Sequence, residues 1–247
     1  MIVRKKDWEC GLSFQNYFKE DLGENYIVFD PAGGSGNLVT SWRGKLKHKI
    51  VSEFQPDLLR IMEKRMKIDS YHMDTCFTII PKTSDNKGLN FLYISGEEYL
   101  DRFKKELKKK HLSLDKPLAF LLNPPYKNTN ENVESRSSKE AEYDIHPSIL
   151  KLTGSDTGKE RYLAFLEQIL MISKAQHDNN SALSPLVFIF TPTSLLLPRP
   201  TYVKFREKWD QHLKFETGFL VISNEFFKLD GKWPLRFQFG NMLLQKS

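Results

Sequence analysis

Short apolar runs alternate with segments of helical spacing along most of the chain. The runs that favour β-structure are 26–30 (YIVFD), 49–53 (KIVSE), 118–122 (LAFLL) and 186–191 (LVFIFT), and each is apolar over nearly its whole length. Strands that are buried on both faces have this continuous apolar character. Strands that alternate with helices form largely parallel sheets with helices on both faces. The pattern therefore predicts an α/β fold.

The helix predictions depend on spacing and on end signals. A proline in the first turn followed by an acid predicts a helix from Pro56 through PDLLRIMEKRM. In that helix Leu58, Ile61, Met62 and Arg65 fall on neighbouring turns. The run 160–174 places Leu163, Leu166, Ile169 and Leu170 on one face. The segment 101–110, DRFKKELKKK, is mostly charged, which is typical of a solvated helix face.

Three regions depart from this alternation. The polar segment 128–159 is longer than an ordinary connection and predicts a lid, a binding loop or a disordered insertion. The segment 215–244, with Asp230-Gly231 near its centre, predicts two antiparallel strands that close the sheet. Within 74–90, the letters CFTII are compatible with a further strand and SDNKG with a turn.

Composition narrows the class of protein. The 247 residues are 40% hydrophobic and 28% charged, which favours a compact fold over global disorder. The net charge of +6 favours a polyanionic partner. Cys10 and Cys76 are too few for a disulfide scaffold and lack metal-ligand spacing, so we expect a reducing, cytoplasmic location and no metal site. No apolar run reaches the roughly 18 residues of a membrane span, so we expect no membrane association.

A glycine-rich turn follows the first predicted strand in the letters FDPAGGSGNL. Glycines at 33, 34 and 36 allow a sharp bend and let a ligand lie against main-chain N–H groups. The turn is neither a P-loop nor G-x-G-x-x-G, so ATP and NAD are not favoured. Glu53 ends the next strand, where a carboxylate can accept hydrogen bonds from both ribose hydroxyls. A nucleoside with little or no phosphate fits this pair best.

The strand 118–122 leads directly into Asn123-Pro124-Pro125-Tyr126. The prolines fix two φ angles and remove two N–H donors, so the segment is stiff and rich in acceptors. The Asn123 side-chain oxygen and the Pro124 carbonyl could both accept from one –NH2 group whose lone pair is delocalised into an aromatic ring. Tyr126 offers a flat face on which that ring could stack. The motif therefore predicts a site that binds an aromatic amine.

Together, FDPAGGSGNL and NPPY resemble the motifs of the amino-group (N6-adenine) DNA methyltransferases that use S-adenosylmethionine, in the gamma motif order. The resemblance extends over nearly the whole chain, through RYLAFLEQIL, LVFIFTPTSLL and EFF. It implies a Rossmann-like methyltransferase fold with a mostly parallel seven-stranded sheet and a C-terminal antiparallel strand pair. It also implies methyl transfer to the N6 amine of an adenine flipped out of DNA, as in restriction-modification systems.

The resemblance assigns roles to named residues. The residues implied to bind S-adenosylmethionine are Asp30, Pro31, Ala32, Gly33, Gly34, Gly36, Asn37, Glu53 and Glu98, with Glu97 as an alternative to Glu98. The implied catalytic residues are Asn123, Pro124, Pro125 and Tyr126. Tyr126 would stack on the base, with Phe227 on its other side or Phe226 in that place. The family commonly has Cys where Gly33 stands and Gly-Asp-Phe-Leu where Gly96-Glu97-Glu98-Tyr99-Leu100 stands.

We expect residues 1–247 to form one catalytic domain with a polar insertion at 128–159 and no separate target-recognition domain. Recognition would then come from a missing domain, from the insertion, or from a separate specificity subunit, with a nuclease subunit as a further partner. Two alternatives stay open from the sequence. One is methylation of an RNA base or a protein glutamine, whose amide is also a planar –NH2 group. The other is a degenerate methyltransferase fold that serves as a nucleic-acid-binding subunit.

Overall fold

The computed structural model describes most of the predicted α/β core. The described residues are 25–41, 49–69, 77–80, 90–125, 145–151, 154, 160–180, 184–226 and 234–244. Among these residues, no helix is both long and apolar enough to cross a membrane.

A seven-stranded sheet forms the centre of the molecule. Its strands are β1 (Ile27–Asp30), β2 (Lys49–Val51), β3 (Thr78–Ile79), β4 (Leu118–Leu122), β5 (Leu186–Pro192), β6 (Leu213–Ile222) and β7 (Pro234–Met242). They lie in the order β3-β2-β1-β4-β5-β7-β6. Neighbours from β3 to β5 are parallel, and β7 is antiparallel to both β5 and β6. The predicted mostly parallel sheet with an antiparallel C-terminal pair is confirmed, and CFTII does contain a strand.

The central strands are β1 and β4, and every residue of both is buried. Phe29 and Phe120 contribute to the larger core cluster, whereas Val28 and Ala119 belong to a second cluster on the opposite face. Successive side chains of a strand point to opposite faces, so both faces of the sheet are covered by apolar residues. The nearly continuous apolar letters of these strands follow from that double burial.

The described helices connect the strands. They are α1 (Asn37–Ser41), α2 (Pro56–Asp69), α3 (Gly96–Lys109), α4 (Arg161–Asn179), α5 (Pro200–Trp209) and α6 (Ser223–Phe226), with 3-10 turns at Ile149–Lys151 and Thr193–Leu196. The charged run of α3 is largely exposed except at Phe103 and Leu107, as a solvated helix face predicts. In α2 the buried residues are Leu59 and Met62, whereas Ile61 is 43% exposed. The buried face of α2 therefore differs from the predicted one by about one residue.

Helix α4 is buried on nearly all sides rather than on one face. It contacts α3 and the 3-10 turn at Ile149–Lys151 as well as the core. The buried amide of Gln168 donates to the carbonyls of Phe91 (2.8 Å) and Ile94 (3.0 Å). Because each polar group that is buried needs a partner, these bonds let a polar residue lie inside the core.

Part of the predicted insertion 128–159 belongs to this core. Ile149 is fully buried, Ile145 packs against the larger cluster, and the His146 N–H donates to the Leu92 carbonyl at 2.8 Å. Residues 126–144, 152–153 and 155–159 lie outside the described residues, as does the predicted turn at Asp230-Gly231.

Candidate active site

The glycine-rich turn begins where β1 ends, and its backbone bonds to the end of β2. The Gly33 N–H donates to the Ser52 carbonyl at 2.9 Å, and the Gly36 N–H donates to the Gly33 carbonyl at 2.7 Å. The Asp30 side chain accepts from the Ala32 N–H at 3.1 Å. These bonds give the segment 30–36 a defined shape, as binding without large rearrangement requires.

The three glycines of the turn are required for different reasons, either a close neighbour or a positive φ angle. A Cβ on Gly33 would lie 2.1 Å from Cγ2 of Val51, so the buried Val51 side chain occupies the space of the cysteine common in the resembling family. Gly36 has a φ of +83° and Gly34 a φ of +55°, both in the left-handed region that favours glycine. Among the described residues, no atom lies within 4 Å of a Cβ built on Gly34, so they leave that side of the turn open to a ligand.

Glu53 fastens the turn to the start of α2. Its Oε2 accepts from the Gly34 N–H at 2.8 Å, and its Oε1 accepts from the N–H groups of Phe54 (2.8 Å) and Gln55 (3.0 Å). An ionised carboxylate has about four acceptor positions, so these three bonds leave room for a ligand hydroxyl. The position beside the open face of Gly34 fits the ribose contact that the sequence predicts.

Arg65 fastens the outer side of the same turn. Its Nη1 donates to the Ser35 carbonyl at 2.6 Å and to Oδ1 of Asn37 at 2.7 Å. The predicted cofactor residue Asn37 is therefore held by an arginine two turns into α2. Sequence reasoning missed this role, because an arginine within a charged helix carries no local signal of its partner 30 residues earlier.

Beneath the turn lies a buried polar cluster formed by Asp30, Ser52 and Tyr99. All three side chains are at most 1% exposed. Oδ2 of Asp30, Oγ of Ser52 and the Tyr99 hydroxyl each lack a hydrogen-bond partner among the described residues. Burial, with the nearby Glu53 charge, raises the pKa of Asp30 from 3.8 to about 8, although the Ala32 bond opposes the shift. The pKa of Tyr99 is also raised, mainly by burial and further by Asp30, with the Ser52 side chain acting against it.

The Asn-Pro-Pro corner lies at the same edge of the sheet as the turn. Strands β1 and β4 are parallel neighbours, with Phe29 opposite Phe120. Asp30 is the last residue of β1, and Asn123 directly follows Leu122, the last residue of β4, so both segments leave the sheet at the carboxyl ends of adjacent strands. Pro124 is buried, whereas Asn123 and Pro125 are half-buried.

Glu98 occupies a different setting from the rest of the predicted cofactor residues. It lies in the first turn of α3, where its backbone N–H is capped by Ser95 and its carboxylate pairs with Arg102 at 2.6 Å. A cavity of about 350 Å³ lies here, lined by Tyr93, Ile94, Glu98, Arg102, Ile145, His146 and Pro147. No residue of the glycine turn lines this cavity. The adjacent Tyr99 belongs to the buried cluster.

Several predicted residues cannot be placed. Tyr126 and Phe227, the two predicted base-stacking residues, lie outside the described residues, and Phe226 is the last residue of α6. In the described ranges, no group of three or more His, Cys, Asp or Glu side chains could hold a metal ion.

Comparison with known proteins shows the fold. No protein-family model and no curated protein sequence matches the chain. Among solved structures, a protein of Listeria monocytogenes assigned to the class I S-adenosylmethionine-dependent methyltransferases aligns over 97% of this chain and 62% of its own, with 11% identity and a TM-score of 0.55. The structure of a DrdV–DNA complex aligns over 97% of this chain and 26% of that one, with 14% identity and a TM-score of 0.59.

A third similar structure is the type I restriction-modification methyltransferase subunit of Streptococcus thermophilus. It aligns over 92% of this chain and 41% of its own, with 12% identity and a TM-score of 0.52. The chain thus spans less than two thirds of each of these proteins. With the observed strand order, these likenesses show that the chain has the Rossmann-like fold of S-adenosylmethionine-dependent methyltransferases.

Proposed function

We propose that this protein is an S-adenosylmethionine-dependent methyltransferase that modifies the N6 amine of a flipped adenine in DNA, within a restriction-modification system. The single observation that carries the proposal is the shared sheet edge. The hydrogen-bonded glycine turn and the Asn-Pro-Pro corner follow the carboxyl ends of two adjacent parallel strands. Ligands of open α/β sheets bind outside these carboxyl ends.

The chain supplies a surface suited to the cofactor. The open side of Gly34 lies beside the Glu53 carboxylate, which is oriented by three backbone N–H groups. We assign Glu53 to the ribose hydroxyls and the turn 30–37 to the rest of the nucleoside and its amino-acid portion. When bound, S-adenosylmethionine supplies a methyl group already activated on a sulfonium.

The Asn123 corner would position the amine. Strand β4 is fully buried and Pro124 is buried after it, so the backbone of this corner is fixed from the core. The Asn123 side-chain oxygen and the Pro124 carbonyl are assigned to accept the two amine hydrogens, which favours a tetrahedral nitrogen with its lone pair directed outward. Catalysis then comes mainly from alignment. Tyr126 and Phe227 are proposed to stack on the flipped base.

The choice of DNA rests on likeness and on chemistry. Similar folds occur in a type I restriction-modification methyltransferase subunit and in the DrdV protein bound to DNA. The net charge of +6 suits a polyanionic substrate. We propose that the chain works as one catalytic domain in the cytoplasm, and that sequence recognition comes from the 128–159 segment or from a separate specificity subunit, alongside a nuclease.

Transfer of a labelled methyl group tests this proposal. The purified chain would be offered DNA from a methylation-free host, ribosomal RNA and release-factor protein in parallel, alone and with its neighbouring gene products. We expect label in DNA as N6-methyladenine, detected by sequencing. Label only in RNA or only in protein would show that the substrate is that molecule and not DNA. Label in none of the three would favour a nucleic-acid-binding subunit without methyltransferase activity.

A further inference from the structure

The buried cluster beneath the glycine turn contains more polar oxygen than it has partners. Oδ2 of Asp30, Oγ of Ser52 and the Tyr99 hydroxyl are all enclosed without a completed hydrogen bond among the described residues. An unpaired buried polar group costs about 1–3 kcal/mol. The Ser52 side chain and the Tyr99 hydroxyl lie close enough to interact with each other, but Oδ2 of Asp30 has no such partner among the described residues. An unpaired carboxyl oxygen beside a proposed ligand site indicates that the cluster serves a second state of the protein.

The position of Tyr99 is set by its ring rather than by its hydroxyl. The ring meets that of Phe91 edge-on at 5.0 Å and lies 6.4 Å from that of Phe103, both measured between centroids. Both neighbours belong to the same core cluster. The packed ring holds the hydroxyl beside the Ser52 side chain, whose hydrogen bonding lowers the pKa of Tyr99, and near Asp30, whose charge raises it.

The charges around Asp30 favour its neutral form in the free protein. The group faces Glu53 from the end of β2 and Tyr99 from α3, and the only hydrogen bond that its carboxyl accepts in the described structure comes from the Ala32 N–H. Neither Glu53 nor Tyr99 supplies a positive charge. A buried carboxylate without a cationic partner is unstable, because its ionised form loses the solvation of water.

We propose that Asp30, Ser52 and Tyr99 form a proton-holding cluster: the Asp30 carboxyl is protonated in the free protein and releases that proton when a cationic cofactor binds at the turn that Asp30 begins. This inference rests on the proposed function, since S-adenosylmethionine carries a net positive charge. The proton leaves the carboxyl oxygen for solvent, and the resulting carboxylate is neutralised by the bound cation. The hydroxyls of Ser52 and Tyr99 then rotate to donate to it, which makes Tyr99 a positioning residue.

The first experiment needs no cofactor. The unfolding free energy of the full chain is measured by urea titration between pH 5 and pH 9 for the wild type, Tyr99→Phe and Tyr162→Phe. Tyr162 is a matched control, because its hydroxyl is also buried in the same core but interacts with Tyr202 and Glu160 rather than with Asp30. We expect Tyr99→Phe to move the pH dependence to higher pH and Tyr162→Phe to lower stability equally at every pH. Equal losses for both variants would overturn the role of Tyr99.

The second experiment counts protons during cofactor binding. Calorimetry with S-adenosylmethionine at pH 7.5, in two buffers of different ionisation enthalpy, gives the number released by the wild type and by Asp30→Asn. Their difference removes the contribution of the cofactor's own amine, which titrates in both. We expect the wild type to release more protons than Asp30→Asn. Equal proton counts with intact binding would refute the cluster, whereas no binding by the wild type would refute the proposed function instead.

The pH dependence of S-adenosylmethionine affinity is a third test. It compares the wild type with Tyr99→Phe, so it can be carried out even if Asp30→Asn does not fold. A hydrogen bond to a charged group is worth about tenfold in affinity, so Tyr99→Phe should bind S-adenosylmethionine about tenfold more weakly than the wild type at pH 7. At pH 9 Asp30 is largely ionised before binding, and the ratio of the two affinities should approach one. A ratio that is the same at pH 7 and pH 9 would mean that Tyr99 acts only by packing.

Discussion

The two corners of the proposed site are held in place by different means. The glycine turn depends on side chains from other elements: Glu53 bonds to Gly34, and Arg65 bonds to Ser35 and Asn37. The Asn-Pro-Pro corner instead derives its stiffness from its own covalent structure and from the buried strand before it. The turn can therefore be loosened by distant substitutions, whereas the two prolines of the corner keep their fixed φ angles whatever surrounds them.

The largest expected effect comes from the local corner. Asn123→Ala removes the proposed amine acceptor while leaving both prolines, so we expect methyl transfer to fall at least about a hundredfold, as for other losses of alignment. Cofactor affinity should change by less than about twofold, because the hydrogen bonds described within the turn, from Gly33, Gly36, Glu53 and Arg65, do not involve Asn123. Single-turnover transfer and calorimetry with S-adenosylmethionine check the two halves of this prediction. A loss of cofactor affinity as large as the loss of transfer would mean that Asn123 also contributes to cofactor binding.

The next largest effect is expected at Gly33. Gly33→Ala places a methyl group against Val51 and should reduce the unfolding free energy by on the order of 1–3 kcal/mol, measured by urea titration. Combining it with Val51→Ala should cost less than the sum of the single substitutions, which reveals their coupling. Gly34→Ala is the control, since its methyl group would meet no atom of the residues that the structure describes and only its positive φ costs about 1 kcal/mol. Simple additivity at positions 33 and 51 would contradict the steric account.

Glu53→Gln tests the electrostatic side of the turn. The raised pKa of Asp30 means that the folded state binds its proton more tightly than the unfolded chain, so this contribution to stability is complete below pH 3.8 and is lost as the pH rises to about 8. Because the Glu53 charge helps to raise that pKa, Glu53→Gln should shift this loss to lower pH.

At pH 5 we expect Glu53→Gln to lose about 1 kcal/mol of unfolding free energy through the lost acceptor, and its deficit should narrow toward pH 9 as repulsion with Asp30 is relieved. Asp101→Asn, which alters an exposed carboxylate on α3, should show no such pH dependence. If the unfolding free energy lost in Glu53→Gln is the same at every pH, the charge of Glu53 does not affect the pKa of Asp30.

The smallest expected effect belongs to Arg65. Arg65→Met removes two hydrogen bonds to the turn and should lower the unfolding free energy by about 1 kcal/mol. The control is Arg60→Met on the same helix, whose ion pair with Asp57 joins side chains that are 65% and 86% exposed and should contribute less than about 0.5 kcal/mol. Equal unfolding free energies for the two variants would show that the Arg65 hydrogen bonds do not stabilise the turn.

The sequence predicts the sheet well because burial on two faces leaves a direct trace. Apolar runs in the sequence identify four strands, β1, β2, β4 and β5. The glycines after β1 identify the turn. Position in the sheet follows from long-range pairing and leaves no such trace: that β7 lies between β5 and β6 could not be predicted from the order of the letters.

The site shows the same division. The position of Glu53 at the end of a strand was sufficient to predict a role beside the turn, and its contact with Gly34 supports that role. The Arg65 contacts and the Tyr99 hydroxyl were not predictable, because each depends on how a helix docks against the sheet. The role of Tyr99 can be recognised only together with its buried neighbours Asp30 and Ser52.

The placement of β7 also has a consequence during folding. Among the described strands β7 comes latest in the chain, yet it lies inside the sheet, where its nine residues pair antiparallel with β5 on one side and β6 on the other. Until β7 is in place, β5 and β6 each present to solvent the edge that β7 covers in the folded sheet, which favours pairing with other chains. Docking of β7 joins the two strands and covers these edges.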